Sequence, residues 1–169
     1  MQNFYIDRSE GFLCALNYQG DEPNVVIPAR PGLRILADQL FLGHTEIVSV
    51  QIPDSVTDIG EFVFDGCVAL WEIRLPAGLR SLWGHSFARC GIEEITLPDG
   101  LTDIPPFAFK DCKDLRRVVC GTGMKRIHAW AFGGCERLTE VVCGPDVEIS
   151  PDAYRSLDRS GQGATQQWP

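Results

Sequence analysis

The sequence predicts a parallel β-solenoid, a stack of short coils that share one core. Three observations predict it. A Phe-x-x-Cys unit recurs at Phe64, Phe87, Phe109 and Phe132, each followed three residues on by Cys67, Cys90, Cys112 or Cys135, with spacings of 23, 22 and 23 residues. An apolar-Pro pair recurs between them, at Ile27-Pro28, Ile52-Pro53, Leu75-Pro76 and Leu97-Pro98, and continues as Cys120-Gly121 and Cys143-Gly144. After the Cys, a Leu-x-x-Ile-x-Leu segment alternates apolar and polar residues, the period of a half-buried strand. One such unit cannot bury its apolar face alone, so units at a fixed period stack on one another.

Composition is consistent with this. The chain has 169 residues, 44% hydrophobic and 22% charged, enough to bury a core and not the make-up of a disordered segment. No run approaches the roughly 20 apolar residues that cross a bilayer, so no membrane insertion is expected. A net charge of -8 repels phosphate backbones and argues against a nucleic-acid partner. Met1 to Glu10 carries neither the basic stretch nor the apolar core of a secretory leader, and the compartment stays open.

The elements follow in order. Phe4–Ile6 and Phe12–Tyr18 flank Asp7–Gly11 as a hairpin, so residues 1–24 form an N-terminal cap over the open end of the first repeat. Residues 25–140 hold about five repeats of 22–25 residues. Each runs from a strand through the apolar-Pro corner to a buried aliphatic residue (Ile59, Leu82, Ile104, Ile127), then to the Phe-x-x-Cys turn and the next strand. In Leu70-Trp71-Glu72-Ile73-Arg74-Leu75, the residues Leu70, Ile73 and Leu75 point inward and Glu72 and Arg74 outward. Leu115/Val118/Cys120 and Leu138/Val141/Cys143 repeat the inward set. Phe41 extends the series upstream with His44 in the cysteine place, and two extra residues in Ala29–Leu40 should bulge. Cys90-Gly91-Ile92 is one residue short, so Ile92 takes the leucine place. Residues 141–157 keep only Ala153-Tyr154 of the signature, as a degenerate C-terminal repeat or cap, which makes 1–157 a single domain. Residues 158–169, with Ser-Gly-Gln-Gly and Gln-Gln, read as a flexible tail or linker.

The stretch IPDSVTDIGEFVFDGCVALWEIRLP, Ile52 to Pro76, resembles the BspA-like leucine-rich repeat of bacterial surface proteins and some protozoa. The resemblance spans about Val25 to Leu157. It implies an α/β-type leucine-rich repeat solenoid, a right-handed horseshoe with one parallel β-sheet on the concave side. Short turns or single helical turns would line the convex side. It also implies a cell-surface or secreted setting, and adhesion or binding of host and matrix proteins.

Residues that could carry chemistry read as packing. The seven cysteines contain no Cys-x-x-Cys pair, and one cysteine per coil makes a ladder where zinc needs a tetrahedron, so no metal is expected. Cys120 and Cys143 stand where other copies have Leu or Ile, as small hydrophobes. Buried, reduced thiols follow. Rungs such as Cys67/Cys90 and Cys112/Cys135 come close enough for a disulfide where side-chain direction allows, an arrangement that fits an exported protein. His44, His85 and His128 fall in different columns of the unit and do not meet. With no Gly-x-Ser-x-Gly, P-loop or Cys-His arrangement, neither an enzyme nor a cofactor is expected. Asp54, Asp58, Glu61 and Asp65 read as a solvated face, not a calcium cluster, because the next coil has Ala77, Ser81, Gly84 and Ala88.

The outward strand positions are the candidate binding surface for a protein partner. They are Gln51, Glu72, Arg74, Glu94, Thr96, Arg117, Val119, Glu140 and Val142, with Ser49 beside Gln51. In a parallel ladder Val119 lies beside Val142. Trp71, at the strand edge, aligns with Val48, Glu93, Arg116 and Thr139, and as an aromatic residue in a mostly polar column it is a candidate hot spot. A second aromatic column, Phe62, His85, Phe107 and Trp130, with Trp83 nearby, is explained either by packing between coils or by a partner. The sequence reading is therefore a non-enzymatic protein-interaction module, the alternative being a structural spacer or assembly unit of a larger surface protein.

Overall fold

The structure is a computed structural model that describes residues 3–9, 11–157 and 163–164. It opens with β1 (Asn3–Ser9) and β2 (Phe12–Gln19), an antiparallel hairpin. Its turn passes through Gly11 at a φ of 88°, a left-handed conformation in which a Cβ is penalised. Alternating short strands follow: β3 (Asn24–Val26), β4 (Leu33–Leu36), β5 (Ser49–Gln51), β6 (Asp58–Ile59), β7 (Glu72–Arg74), β8 (Ser81–Leu82), β9 (Glu94–Thr96), β10 (Asp103–Ile104), β11 (Arg117–Val119), β12 (Arg126–Ile127), β13 (Glu140–Val142) and β14 (Glu148–Ile149). At the end β15 (Ser156–Leu157) pairs antiparallel with β16 (Gly163–Ala164). The rest of the tail expected over 158–169 lies outside the described residues.

The strands form two columns where one sheet was expected. Odd-numbered strands stack in parallel as β3-β5-β7 and β9-β11-β13, and even-numbered ones as β4-β6-β8 and β10-β12-β14. The hairpin closes the first end, because β2 pairs in parallel with β4 and buries Tyr18 against the ring of Phe41 at 5.2 Å. The second column exists because the residues after each Pro or Gly corner run extended far enough to place Ile59, Leu82, Ile104 or Ile127 in the core.

The third side of each coil is a turn, and among the described residues there is no helix. The reason is conformational. Each turn contains two left-handed residues four positions apart, one column being Gln39, Phe62, His85, Phe107 and Trp130, and the other Gly43, Gly66, Arg89, Asp111 and Gly134, with φ from 54° to 80°. A left-handed residue interrupts any helical run. Turn amides bond across coils instead, as in Gln39 N–H to Glu61 O at 2.8 Å and Arg89 N–H to Lys110 O at 2.7 Å.

The core is one continuous ladder. Phe41, Phe64, Phe87, Phe109 and Phe132 are fully buried, and their rings stack at 5.1–5.6 Å with interplanar angles of 7–16°. Burying one such ring contributes about 1.5–3 kcal/mol. The cysteine column has its own role in this ladder. Each thiol donates to the phenylalanine carbonyl of the preceding coil: Cys67 to Phe41, Cys90 to Phe64, Cys112 to Phe87 and Cys135 to Phe109, at 3.0–3.1 Å. A small side chain with one weak donor is what that place accepts.

The short third repeat leaves a visible mark. Between β7 and β9, and between β8 and β10, the strands lie side by side without forming a paired ladder, so both columns break at the same level. The turn column runs on through it, with Phe87 N–H bonded to Ala108 O at 2.9 Å. Gly91 makes the shortcut feasible. A Cβ there would lie 2.4 Å from the Val68 carbonyl oxygen.

Candidate functional site

The first strand column carries the candidate residues, and its register sets them in rows. Ser49 opposes Glu72, and Gln51 opposes Arg74. Glu94, Arg117 and Glu140 form one row beyond the break, and Thr96, Val119 and Val142 another. Side chains one coil apart are neighbours in such rows, as in any parallel ladder. Val119 therefore does lie beside Val142, which is 39% exposed. Trp71 stands just before β7 with 59% of its surface exposed, tied by its N–H to Val48 O.

The ten candidates separate into two groups. Gln51, Glu72 and Arg74 line an open groove of about 950 Å³. The exposed loop of Ala29, Arg30 and Pro31 forms one wall, and Asp54 with Pro76 closes the far side. Arg74 also borders a second hollow of about 440 Å³ with Glu94 and Thr96. Arg117, Val119, Glu140, Val142 and Trp71 border neither. On their half the charges face each other, Arg117 Nε donating to Glu140 Oε2 at 2.6 Å. Pairs this exposed contribute at most about 1 kcal/mol. The sequence reading named this row of strand positions but not the groove, which Ala29, Arg30 and Pro31, in the segment that carries the two-residue insertion, line together with β5. The insertion itself was the available signal.

The turn side differs from expectation in one respect. Asp65, read as part of a solvated acidic face, is buried at 5% exposure and held by a fork from Arg89, Nε to Oδ1 at 3.0 Å and Nη2 to Oδ2 at 2.9 Å. Arg89 occupies the left-handed column that it shares with Gly43, Gly66, Asp111 and Gly134. A glycine recurring at one position was the sequence sign of that backbone.

The second aromatic column is a stack. Phe62 and His85 lie 4.6 Å apart, His85 and Phe107 4.7 Å, and Phe107 and Trp130 5.2 Å, all within 15° of parallel. These rings sit on left-handed backbone, a conformation costing on the order of 1–3 kcal/mol per non-glycine residue, and the ring contacts along the stack offset it. Burial holds the His85 imidazole below its ordinary pKa, so the stack contains a neutral ring. Trp83 is 55% exposed outside this column.

Among the described residues no three or more of His, Cys, Asp and Glu are placed to hold a metal ion. Burial pushes Cys67 up to about 12, and Cys90 and Cys112 well above the ordinary thiol range, which makes these three thiols poor nucleophiles. His128 meets Asp103 at 3.0 Å on the surface, while His44 pairs with Glu46, so the three histidines serve separate coils.

A parallel solenoid with an open strand face is a repeat scaffold of the protein-interaction type. The chain belongs to the BspA type leucine-rich repeat region family, whose pattern matches residues 34–158 in six copies. Solved structures agree. The leucine-rich repeat protein of T. pallidum is 27% identical, with a TM-score of 0.69 over 86% of this chain and 82% of that one. A leucine-rich repeat protein from Bacteroides ovatus is 22% identical, with a TM-score of 0.67 over 90% of this chain and 49% of the other. The pneumococcal vaccine antigen PcpA is 18% identical, with a TM-score of 0.72 over 88% of this chain and 40% of that antigen. The last two speak for the fold alone, and the chain spans half their length or less. No curated protein matches the chain in sequence at a significant level.

Proposed function

We propose that the chain is a non-enzymatic protein-binding module, engaging a protein partner through the odd-numbered strand face, the concave side of a horseshoe. The observation that carries this is the groove of about 950 Å³ lined by Gln51, Glu72 and Arg74, on a face whose side chains project in register. Such a face offers polar anchors in Gln51, Glu72 and Arg74, and apolar ones in Trp71, Val119 and Val142. Buried aromatic and arginine anchors carry most interface energy elsewhere. Family membership supports adhesion or host and matrix-protein binding as the setting, on a cell-surface or secreted protein whose domain covers 1–157. A second reading, a spacer within a larger surface protein, draws on the cross-coil pairing of Arg117 with Glu140, which gives that half of the face to the protein's own structure.

The test is capture from extracellular-matrix and cell-surface extracts, with Trp71→Ala, Val119→Asp, Val142→Asp combined in one variant and Arg74→Glu in another. Loss of a specific partner in either variant, with unchanged melting, supports the binding reading. Equal capture by wild type and both variants moves the site elsewhere, and no capture by any form favours the spacer.

A further inference from the structure

Two of the seven cysteines differ from the others in their surroundings. The four ladder thiols are buried, each donating to a carbonyl of the coil before. Cys14 is buried in the N-terminal hairpin. Cys120 and Cys143 are partly exposed. They directly follow β11 and β13, where Val119 pairs with Val142 in parallel register and the Cys120 N–H donates to Val142 O at 2.8 Å. The two cysteines therefore oppose each other on adjacent coils.

Their side chains share a direction, since both stand in the inward column of Leu75 and Leu97. Adjacent strands lie about 4.8 Å apart, within the Cα separation of about 4.4–6.8 Å that a disulfide spans. The same substitution that brings the thiols opens them to solvent. In coils with Leu75-Pro76 and Leu97-Pro98 a bulky side chain and a ring close the corner, and Leu75 and Leu97 are 8% and 1% exposed. Cys120-Gly121 and Cys143-Gly144 fill the same corner with much less. Glycine is needed at 121, where a Cβ would lie 2.5 Å from the Pro98 carbonyl carbon. Tyr154 meets the pair from the last turn: burial first, then the neighbouring Cys143 and Cys120, push its hydroxyl above its ordinary range.

We propose that Cys120 and Cys143 are a redox-active dithiol, which a small-molecule disulfide such as oxidised glutathione converts to a coil-to-coil disulfide. Cys143 follows the edge strand of its sheet, which makes it the first target. Its thiolate attacks one sulfur of glutathione disulfide, forming a protein–glutathione bond and releasing one glutathione thiolate. The Cys120 thiol, which burial and then Cys143 push up to about 11, gives up its proton in the slower second step and attacks the Cys143 sulfur, forming the internal disulfide and releasing the second glutathione thiolate. In balance, two protein thiols lose two electrons and two protons, and one glutathione disulfide becomes two glutathione thiols. The bond closes the loop 120–143 and fastens the last two coils, which should raise the melting temperature by about 10 °C.

The experiment treats the reduced full-length chain with oxidised glutathione, followed by intact mass and peptide mapping without reduction. The expected product has lost the mass of two hydrogens, maps to a Cys120–Cys143 link, melts higher and reverts with dithiothreitol. Cys120→Ser should instead stop with glutathione on Cys143, and its reduced form should melt close to wild type. A native chain that carries glutathione on both residues without the internal link overturns the proposal. So does a first-formed link between ladder cysteines, or reaction at Cys120 and Cys143 no faster than at Cys112.

Discussion

Replacing Phe87 by alanine tests the register of the whole array. Phe87 is fully buried and stacked between Phe64 at 5.1 Å and Phe109 at 5.5 Å. Its carbonyl also accepts the Cys112 thiol, and its N–H reaches Ala108 O. Phe→Ala at a buried site costs about 3–5 kcal/mol, the lost transfer free energy plus the cavity that remains. Phe87→Leu keeps most of the apolar volume and loses two ring contacts of about 0.5–1.5 kcal/mol each, so it should cost about 1–3 kcal/mol. Against a total stability of about 5–15 kcal/mol the alanine change is severe. The assay is urea unfolding, where an m value near 2 kcal/mol/M turns the alanine loss into a midpoint shift of roughly 2 M. The backbone bonds of Phe87 are unaffected by the substitution, so the shift reports the ring. A loss below about 1.5 kcal/mol at unchanged m, or equal losses for leucine and alanine, would refute the stacked Phe ladder as the source of cohesion.

Three further outcomes follow from the same geometry. Gly91→Ala forces a Cβ against the Val68 carbonyl and should destabilise by about 1–3 kcal/mol in the same urea assay, although it adds a residue with less backbone freedom when unfolded. Arg89→Met leaves the buried Asp65 carboxylate without its fork and should cost about 1–3 kcal/mol, a loss that Arg89→Lys recovers only in part; thermal melting compares the two. His85 has a folded pKa below its unfolded value, so protonation favours the unfolded chain. Its contribution is complete above about pH 6.5 and declines as pH falls from there toward the folded pKa. His85→Phe should flatten the urea midpoint between pH 7 and pH 5, whereas Asp103 and Glu136, with pKa values held low by the Thr102 hydroxyl and the Lys113 ammonium respectively, act only at more acid pH.

Much of this molecule was legible in its sequence because a repeat states the same physics several times. The Phe and Cys columns, the alternation in Leu70–Leu75 and the facing of Val119 with Val142 all follow from one spacing and one strand period. What escaped the reading lies in backbone conformation and in contacts between coils. Nothing in the letters Phe62, His85, Phe107 and Trp130 announces left-handed φ, since aromatic residues seldom adopt it alone and here do so stacked on one another. Asp65 resembled any exposed carboxylate until Arg89, one coil away, was seen to bury it. The second strand column rests on two residues per coil, too few for alternation to show. The groove beside Arg74 is lined in part by Ala29, Arg30 and Pro31, in a segment whose insertion was visible in the sequence but whose place beside β5 was not.

The single residue missing at Cys90-Gly91-Ile92 has a mechanical consequence. Pulled along its long axis, the chain presents two blocks, each laced by paired strands, with a coupling between them that relies on the phenylalanine column, the His85–Phe107 stack, the turn amides and the Cys112 thiol. Load is then shared unequally among the coils. The level between Phe87 and Phe109 is the compliant joint, where the rod bends or parts first while the coils on either side stay whole.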